Sequence, residues 1–583
     1  MERFAVVLIP VLVSVVVTVT ACTSATPRSP STQLDTPSPS LVQAAAPGDT
    51  ASNTPETSTT PEILSPETPE KQPPPSYPTA GQSPGLATSP SGPLTYPWGN
   101  VNTFFGWSII GKDKIPYVQE LDMKWASLQP HVFWFEIEHE KGRYDWAELD
   151  EEVAWLQQLD VDITFVYSSF GNIYDEGVRQ QIREELLDLL GQPGIGTLQD
   201  AWISWNRDMD GPARYGMMPD PFDEDDPMMK GLLAFIRALV ERYDGDGVDD
   251  WDGLRYPVRV HHVVEEWPGP AMDARTYLGL LSELSPVIKE ADPNAKVMIP
   301  GLYMPNWGRA FAYLDGYIDD PDAGIVRGVK YTWAQLNGMP GITFAKKAYE
   351  TILDLGRDYF DLIDIHLYTE KETFYEGEIE YVLGKMRELG YEKPIWCVEG
   401  GGPFRNPENS PNDAQGDSAF GTTNEKEVAE YVVKFHAMSA ALGLERQHWG
   451  IGGQNQQGYW GGPWNIMGLL EKGTERKRPA YYSYWIMREK LRDFTVGNVA
   501  DLSVASIRIF QFSTPRGIVY VAWDADGTDQ VGTVDLSGVL GHRDVKVAPI
   551  VTQLNTNNGP IVPEASTHSS ANVPLSITPV FIE

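Results

Sequence analysis

Two glutamates carry the chemistry legible in this chain. Glu266 lies near the end of Val258–Trp267 (V-R-V-H-H-V-V-E-E-W), and Glu399 lies near the end of Pro394–Gly402 (P-I-W-C-V-E-G-G-G). In each, an apolar, β-branched run stops at a carboxylate and is soon followed by Pro or Gly. Runs of about four to eight apolar residues closed by turn residues read as buried strands. A carboxylate at the carboxyl end of such a strand sits where barrel enzymes keep their reacting groups. The pair is 399 − 266 = 133 residues apart. That gap has room for roughly three strand–helix units of about 30 residues or more each. Two carboxyls converging from separate strands are the minimum equipment for cleaving a glycosidic bond, one donating a proton and the other attacking.

The elements that must position this pair follow from the alternation of patterns along the chain. From about residue 97 to residue 491, short buried runs alternate with amphipathic helical stretches, as in a parallel α/β fold. Asp162–Ser169, Lys296–Gly301, Asp361–Tyr368 and Arg446–Ile451 predict strands. Thr422-x-x-Glu425 predicts a capping box. The helix it would open carries Val428, Tyr431, Val432, Phe435, Met438 and Leu442 on one face and stops at Gly443. The expected fold is a TIM (β/α)8 barrel over residues 96–491, with long loops. From residue 492 to 583 the helical signal vanishes and short alternating runs such as Ile507–Phe512 predict a C-terminal β-sandwich, expected to act as a brace.

With four segments in order, the chain resembles clan A glycoside hydrolases, nearest to family 39 and related barrels, over roughly residues 97–583. Trp134–Trp146 resembles the clan's segment after strand two. Arg242–Trp267 resembles the stretch that leads into the acid/base at the end of strand four. His366-Leu367-Tyr368 matches the H-x-Y ending of strand six, and Pro394–Gly401 matches the P-I-W-x-x-E-x-G ending of strand seven. The resemblance implies that Glu266 is the acid/base, that Glu399 is the nucleophile and that Tyr368 hydrogen-bonds the nucleophile. It further implies a carbohydrate substrate and no cofactor or metal.

Two positions depart from the clan. Glu265 replaces the usual Asn before the acid/base, putting an acceptor where a donor to the sugar is expected and a second negative charge beside Glu266. Gln129 stands where the clan carries a strand-two Arg that helps orient the nucleophile. These departures keep a second reading open, a surface lipoprotein that binds glycans without cleaving them. Trp107, Trp267, Trp449 and Trp460 lie at predicted strand ends or in Gly-rich loops, where aromatic faces would stack on sugar rings; His366 is a further candidate contact.

The N-terminus adds a location. An apolar stretch from Phe4 ends in V-T-A-C, which resembles a bacterial lipobox and predicts a secretory signal over residues 1–21 with lipidation at Cys22, hence an exported protein anchored to the membrane at the bacterial surface. The other reading of the stretch, about 18 residues long, is a transmembrane anchor, and both put the bulk of the protein outside the cytoplasmic membrane. Residues 22–95 are dominated by Pro, Ser, Thr, Ala and Gly, the composition of a disordered stalk. The other of the two cysteines, Cys397, sits mid-strand between Trp396 and Val398, which reads as a buried small side chain and leaves no disulfide framework. A net charge of −36 argues against nucleic acid as a partner. Asp244–Asp250 (D-G-D-G-V-D-D) lacks the ligand pattern of an EF-hand and reads as a solvated loop, while Asp220–Pro227 is expected to cap a helix.

Overall fold

The computed structural model describes residues 103–107, 111–168, 170–172, 174, 176–189, 219–264, 266–267, 273–302, 307–326, 329–403, 424–451, 467–471 and 474–583. The signal, Cys22, the stalk, Thr422, Glu265 and Trp460 lie outside the described residues, as do the side chains of Glu266 and Trp267. The chain divides into two units, Met1–Gln72 and Pro73–Glu583, and every described residue belongs to the second. No helix among the described residues is long and apolar enough to cross a membrane.

Eight parallel strands close into a barrel. They are β1 (Phe105–Trp107), β2 (Trp125–Ala126, continued by His131–Val132), β3 (Asp162–Tyr167), β4 (Val260–Val263), β5 (Lys296–Ile299), β6 (Leu362–Tyr368), β7 (Ile395–Gly401) and β8 (Arg446–His448). The hydrogen-bonded order runs β2-β1-β8-β7-β6-β5-β4-β3, and β3 closes back onto β2 through Trp125↔Asp162. The intervening helices include α1 (Ile115–Leu121), α2 (Ala147–Gln157), α3 (Pro227–Tyr243), α4 (Ala274–Ala291), α5 (Pro340–Leu355), α6 (Glu372–Leu389), α7 (Glu425–Ala441) and α8 (Pro479–Lys490).

The helix ends follow their sequences. In α3 the acidic run does cap: the Asp226 side chain accepts from Met228 N and Met229 N, and Pro227 occupies the first turn. Met229, Leu232, Phe235, Ile236, Leu239, Val240 and Tyr243 form its buried stripe, at the three- and four-residue spacing of one helix face. In α7 the cap is Asn424, whose side chain accepts from Glu427 N. Thr422, the expected cap, is two residues too early, and Gly443 follows the helix at φ +86°, a conformation that glycine adopts without strain.

The barrel interior is filled at its lower end by Trp125, Leu128, Val166, Val260, Met298, Leu362, Trp396 and Val398. Beneath them Arg446 lies 3.8 Å over the Trp396 ring and pairs with the buried Asp162. In the Trp134–Trp146 segment, Trp134 and Trp146 both stack on Phe235 of α3.

After α8 come the antiparallel strands β9 (Val499–Asp501), β10 (Ile507–Thr514), β11 (Gly517–Asp524), β12 (Gly532–Val534), β13 (Asp544–Pro549), β14 (Ser566–Ser569), β15 (Val573–Leu575) and β16 (Val580–Ile582). Six form one sheet in the order β9-β10-β11-β16-β13-β14, and β12 pairs with β15 separately. Strand alternation splits the large sheet's side chains between two faces. Phe510, Phe512, Val521, Trp523 and Phe581 join the barrel's core, whereas Ile509, Tyr520, Ala522, Val545, Val547 and Ile582 pack with Val573 and Leu575 of β15. The result is a sandwich of unequal layers, one side of which is seated on the barrel. Helix α7 lies at this junction and is buried nearly all round, including Lys434, which pairs with Glu372 of α6 at 2.9 Å and lies over the Trp523 ring.

Candidate active site

Glu399 reaches the barrel mouth through an irregularity in β7. Ile363, Asp364 and Ile365 of β6 pair with Ile395, Trp396 and Cys397, but His366 pairs with Glu399, leaving Val398 as an extra residue. Trp396 and Val398 point into the barrel, and Cys397 packs outward into the helix layer. Strict alternation would therefore send Glu399 outward with Cys397. The bulge re-aims it, a common use of bulges beside active sites. Its side chain is 16% exposed and accepts a 2.8 Å hydrogen bond at Oε2 from the Tyr368 hydroxyl.

The neighbours of Glu399 come from the inward series of β6: Leu362, Asp364, His366 and Tyr368. His366 Nδ1 lies 3.8 Å from Glu399 Oε2, and its Nε2 lies 2.8 Å from Asp364 Oδ2. Asp364 is fully buried and also accepts from Gly301 N at 3.0 Å and Val398 N at 3.2 Å. His262 of β4 stands 3.5 Å from the same carboxylate. Burial holds the His262 imidazole down to about 4, with the charge of Asp364 opposing that shift and His366 adding to it. Burial likewise holds His448 and His436 down to about 3. Across the mouth, Ser127 Oγ of the broken strand β2 donates to Val398 O at 2.9 Å, tying the bulge to the opposite wall.

The end of β4 converges on the same place. Val264 has φ +72°, a strained conformation for a β-branched residue and one that proteins retain mainly at functional sites. Below it His262 pairs with Met298, an offset of 298 − 262 = 36; above it Glu266 pairs with Gly301, an offset of 301 − 266 = 35. One extra residue thus precedes Glu266 in β4, as one precedes Glu399 in β7. Gly301 in turn carries His366 and Asp364 against its backbone: a Cβ there would lie 2.4 Å from His366 Cδ2 and 2.7 Å from Asp364 Oδ2. The backbone of Glu266 is therefore one strand away from the His366 ring.

The remaining candidates divide. Gln129 is buried, and its Nε2 donates to Glu152 Oε1 of α2 at 2.7 Å, in the segment where β2 is interrupted. Trp107 ends β1 and Trp449 follows β8; both are fully buried, and Trp449 Nε1 donates to Met467 O at 2.9 Å. Their rings have core burial, not the open face a sugar would stack on. The Trp267 backbone pairs with Leu302. Cys397 is buried, and its thiol is pushed well up, first by that burial. The carboxylates of Asp244, Asp246 and Asp250 cluster, but they accept from turn amides, Gly245 N and Gly247 N among them. Sequence reasoning missed Ser127, His262 and Asp364. Asp364 had a signal: a lone carboxylate inside an apolar strand, two residues before His366.

No protein-family model and no curated protein matches the chain. Solved structures do. A family 39 glycoside hydrolase from the gut symbiont Bacteroides cellulosilyticus WH2 aligns at 14% identity and a TM-score of 0.48, covering 83% of this chain and 81% of that one. A glucosidase from Croceicoccus marinus aligns at 10% identity, TM-score 0.44, covering 83% and 96%. A glycoside hydrolase family 30 subfamily 8 xylanase from Clostridium acetobutylicum aligns at 11% identity, TM-score 0.42, covering 83% and 95%.

Proposed function

We propose that the protein is a retaining β-glycosidase that works outside the cytoplasmic membrane, anchored by lipid at Cys22. The observation that carries the reading is the setting of Glu399: a bulge turns it to the carboxyl-end mouth of a parallel barrel, where the Tyr368 hydroxyl donates to it at 2.8 Å. The backbone of the second glutamate, Glu266, is held at the same mouth through Gly301. In the first step a Glu399 oxygen attacks the anomeric carbon, the bond to the leaving oxygen breaks, and Glu266 gives that oxygen its proton. In the second, water attacks the same carbon, its proton passes to Glu266, and the Glu399 carboxylate leaves.

A panel of aryl β-glycosides tests this. Release of nitrophenol by the wild type, abolished in Glu399→Ala and rescued by azide in Glu266→Ala, is the expected result; full activity in either variant overturns the assignment. The uncharged Gln129, engaged with Glu152, favours one second reading, a glycan-binding lipoprotein without turnover. Binding to polysaccharide with no release from any member of the panel would establish it. Incorporation of labelled fatty acid that disappears in Cys22→Ala tests the anchor separately.

A further inference from the structure

We infer that His366 is an imidazolium in the resting protein, held between the carboxylates of Asp364 and Glu399, and that it supplies the cation that orients Glu399. The orienting role rests on the reading of Glu399 as nucleophile; the charge of the ring does not. An ionised carboxylate only accepts hydrogen bonds, so the 2.8 Å contact with Asp364 places a proton on His366 Nε2. A neutral ring would then turn the bare Nδ1 lone pair toward Glu399 Oε2, 3.8 Å away. Protonating Nδ1 converts that repulsion into an ion pair, and a carboxylate on each side of the ring favours the charged form.

Among the described residues, the surroundings on β7, β5, β4 and β8 are consistent with this. On β7, Glu399 is held as an acceptor by the Tyr368 hydroxyl, which favours its ionised form. On β5, Gly301 presents only backbone, and its N–H donates to Asp364. On β4, His262 stays neutral, because burial and the charge of His366 outweigh the pull of Asp364; the Glu266 backbone follows at the end of that strand. On β8, His448 is held neutral first by burial, with His436 and His366 adding to it. Asp364 is fully buried, and a buried charge persists only when paired and hydrogen-bonded. One charged imidazole balances that carboxylate and the one at the mouth together. The described contacts to Glu399 from Tyr368 and His366 fall on the same oxygen, Oε2, fixing the carboxylate's rotation. Asp364 is then a positioning residue, acting on the nucleophile through His366.

The test is ring nitrogen NMR on full-length protein labelled with 15N-histidine, with the His366 signals assigned by their loss in His366→Gln. The expected result is a ring protonated on both nitrogens at pH 7.5. Its titration midpoint should move down by at least one pH unit in Glu399→Gln, and also in Asp364→Asn. The Glu399→Gln site, partly exposed at the barrel mouth, keeps the test intact if the fully buried Asp364→Asn does not fold. A ring bare at Nδ1 at pH 6.5, or a midpoint unmoved in Glu399→Gln, overturns the inference. The readout needs no substrate. An inactive protein with the expected titration would refute the glycosidase reading alone, and an active one with a neutral His366 would refute this inference alone.

Discussion

Lowering the pH from 6 to 5 should destabilise this protein through its buried histidines, with a size that follows from their environments. Burial is the first cause in each case, holding His131 and His262 down to about 4 and His261, His436 and His448 down to about 3. In the unfolded chain all five return to about 6.5. A histidine depressed in the fold stays neutral there while its unfolded counterpart charges. Its stabilising contribution is therefore whole above pH 6.5 and is lost as pH falls toward the folded value. At pH 5.5 the five take up about 4.5 protons on unfolding. Three carboxyls oppose them: burial raises Asp244 to about 7 and also raises Glu378 and Glu152. These bind protons in the fold and release them on unfolding. Three carboxyls can offset at most three protons, and an imidazolium at His366, already charged in both states at this pH, changes little, so a net uptake of at least about 1.5 protons remains at pH 5.5. The expected loss is at least about 2 kcal/mol per pH unit around pH 5.5. Urea unfolding followed by tryptophan fluorescence at both pH values reads it. Calorimetry in buffers of different ionisation enthalpy counts the protons directly. His436→Phe, at a ring already stacked on Phe105 with 5.5 Å between centroids, should lower the uptake by about one proton. Net proton release on unfolding near pH 5.5, or an uptake unchanged in His436→Phe, would refute the reasoning.

Other outcomes follow from single contacts. Tyr368→Phe removes the donor to Glu399; a hydrogen bond to a charged group is worth about 1.5–3 kcal/mol, so kcat/KM on an aryl glycoside should fall about 10- to 100-fold with the melting temperature nearly unchanged. Glu265→Asn removes a charge next to Glu266, the proposed acid/base, so the alkaline limb of the pH–rate profile should move to lower pH; an unmoved limb would mean that Glu265 does not act on Glu266. Arg446→Leu removes the guanidinium paired with the buried Asp162 beneath the barrel core and should cost about 3–5 kcal/mol in denaturant unfolding. A cost below 1 kcal/mol would show that the Asp162 carboxylate does not depend on Arg446.

Much of the architecture was legible because strand and helix periods are local properties. The runs Asp162–Ser169, Asp361–Tyr368 and Pro394–Gly402 all contain barrel strands, and Asp226 caps its helix as its composition implies. Glu399 could be singled out because a carboxylate closing an apolar run has few structural reasons to be there. Gln129 could be seen to be uncharged, but its partner Glu152 lies on a neighbouring helix and no spacing reveals that contact. Trp107 and Trp449 looked like stacking platforms because strand ends in a barrel face its mouth. Packing buried them both.

The chain by itself determined the residue types at the site and the strands that carry them. The tertiary structure decided where those residues point. Alternation along β7 puts Glu399 in phase with Cys397, toward the helices, and only pairing with β6 shows that Val398 is extra and that Glu399 lies opposite His366. The same holds for β4, where the slip before Glu266 appears only against Gly301 of β5. A bulge is a mismatch in count between two paired strands, so its position is a property of the pair that neither strand's residues encode alone.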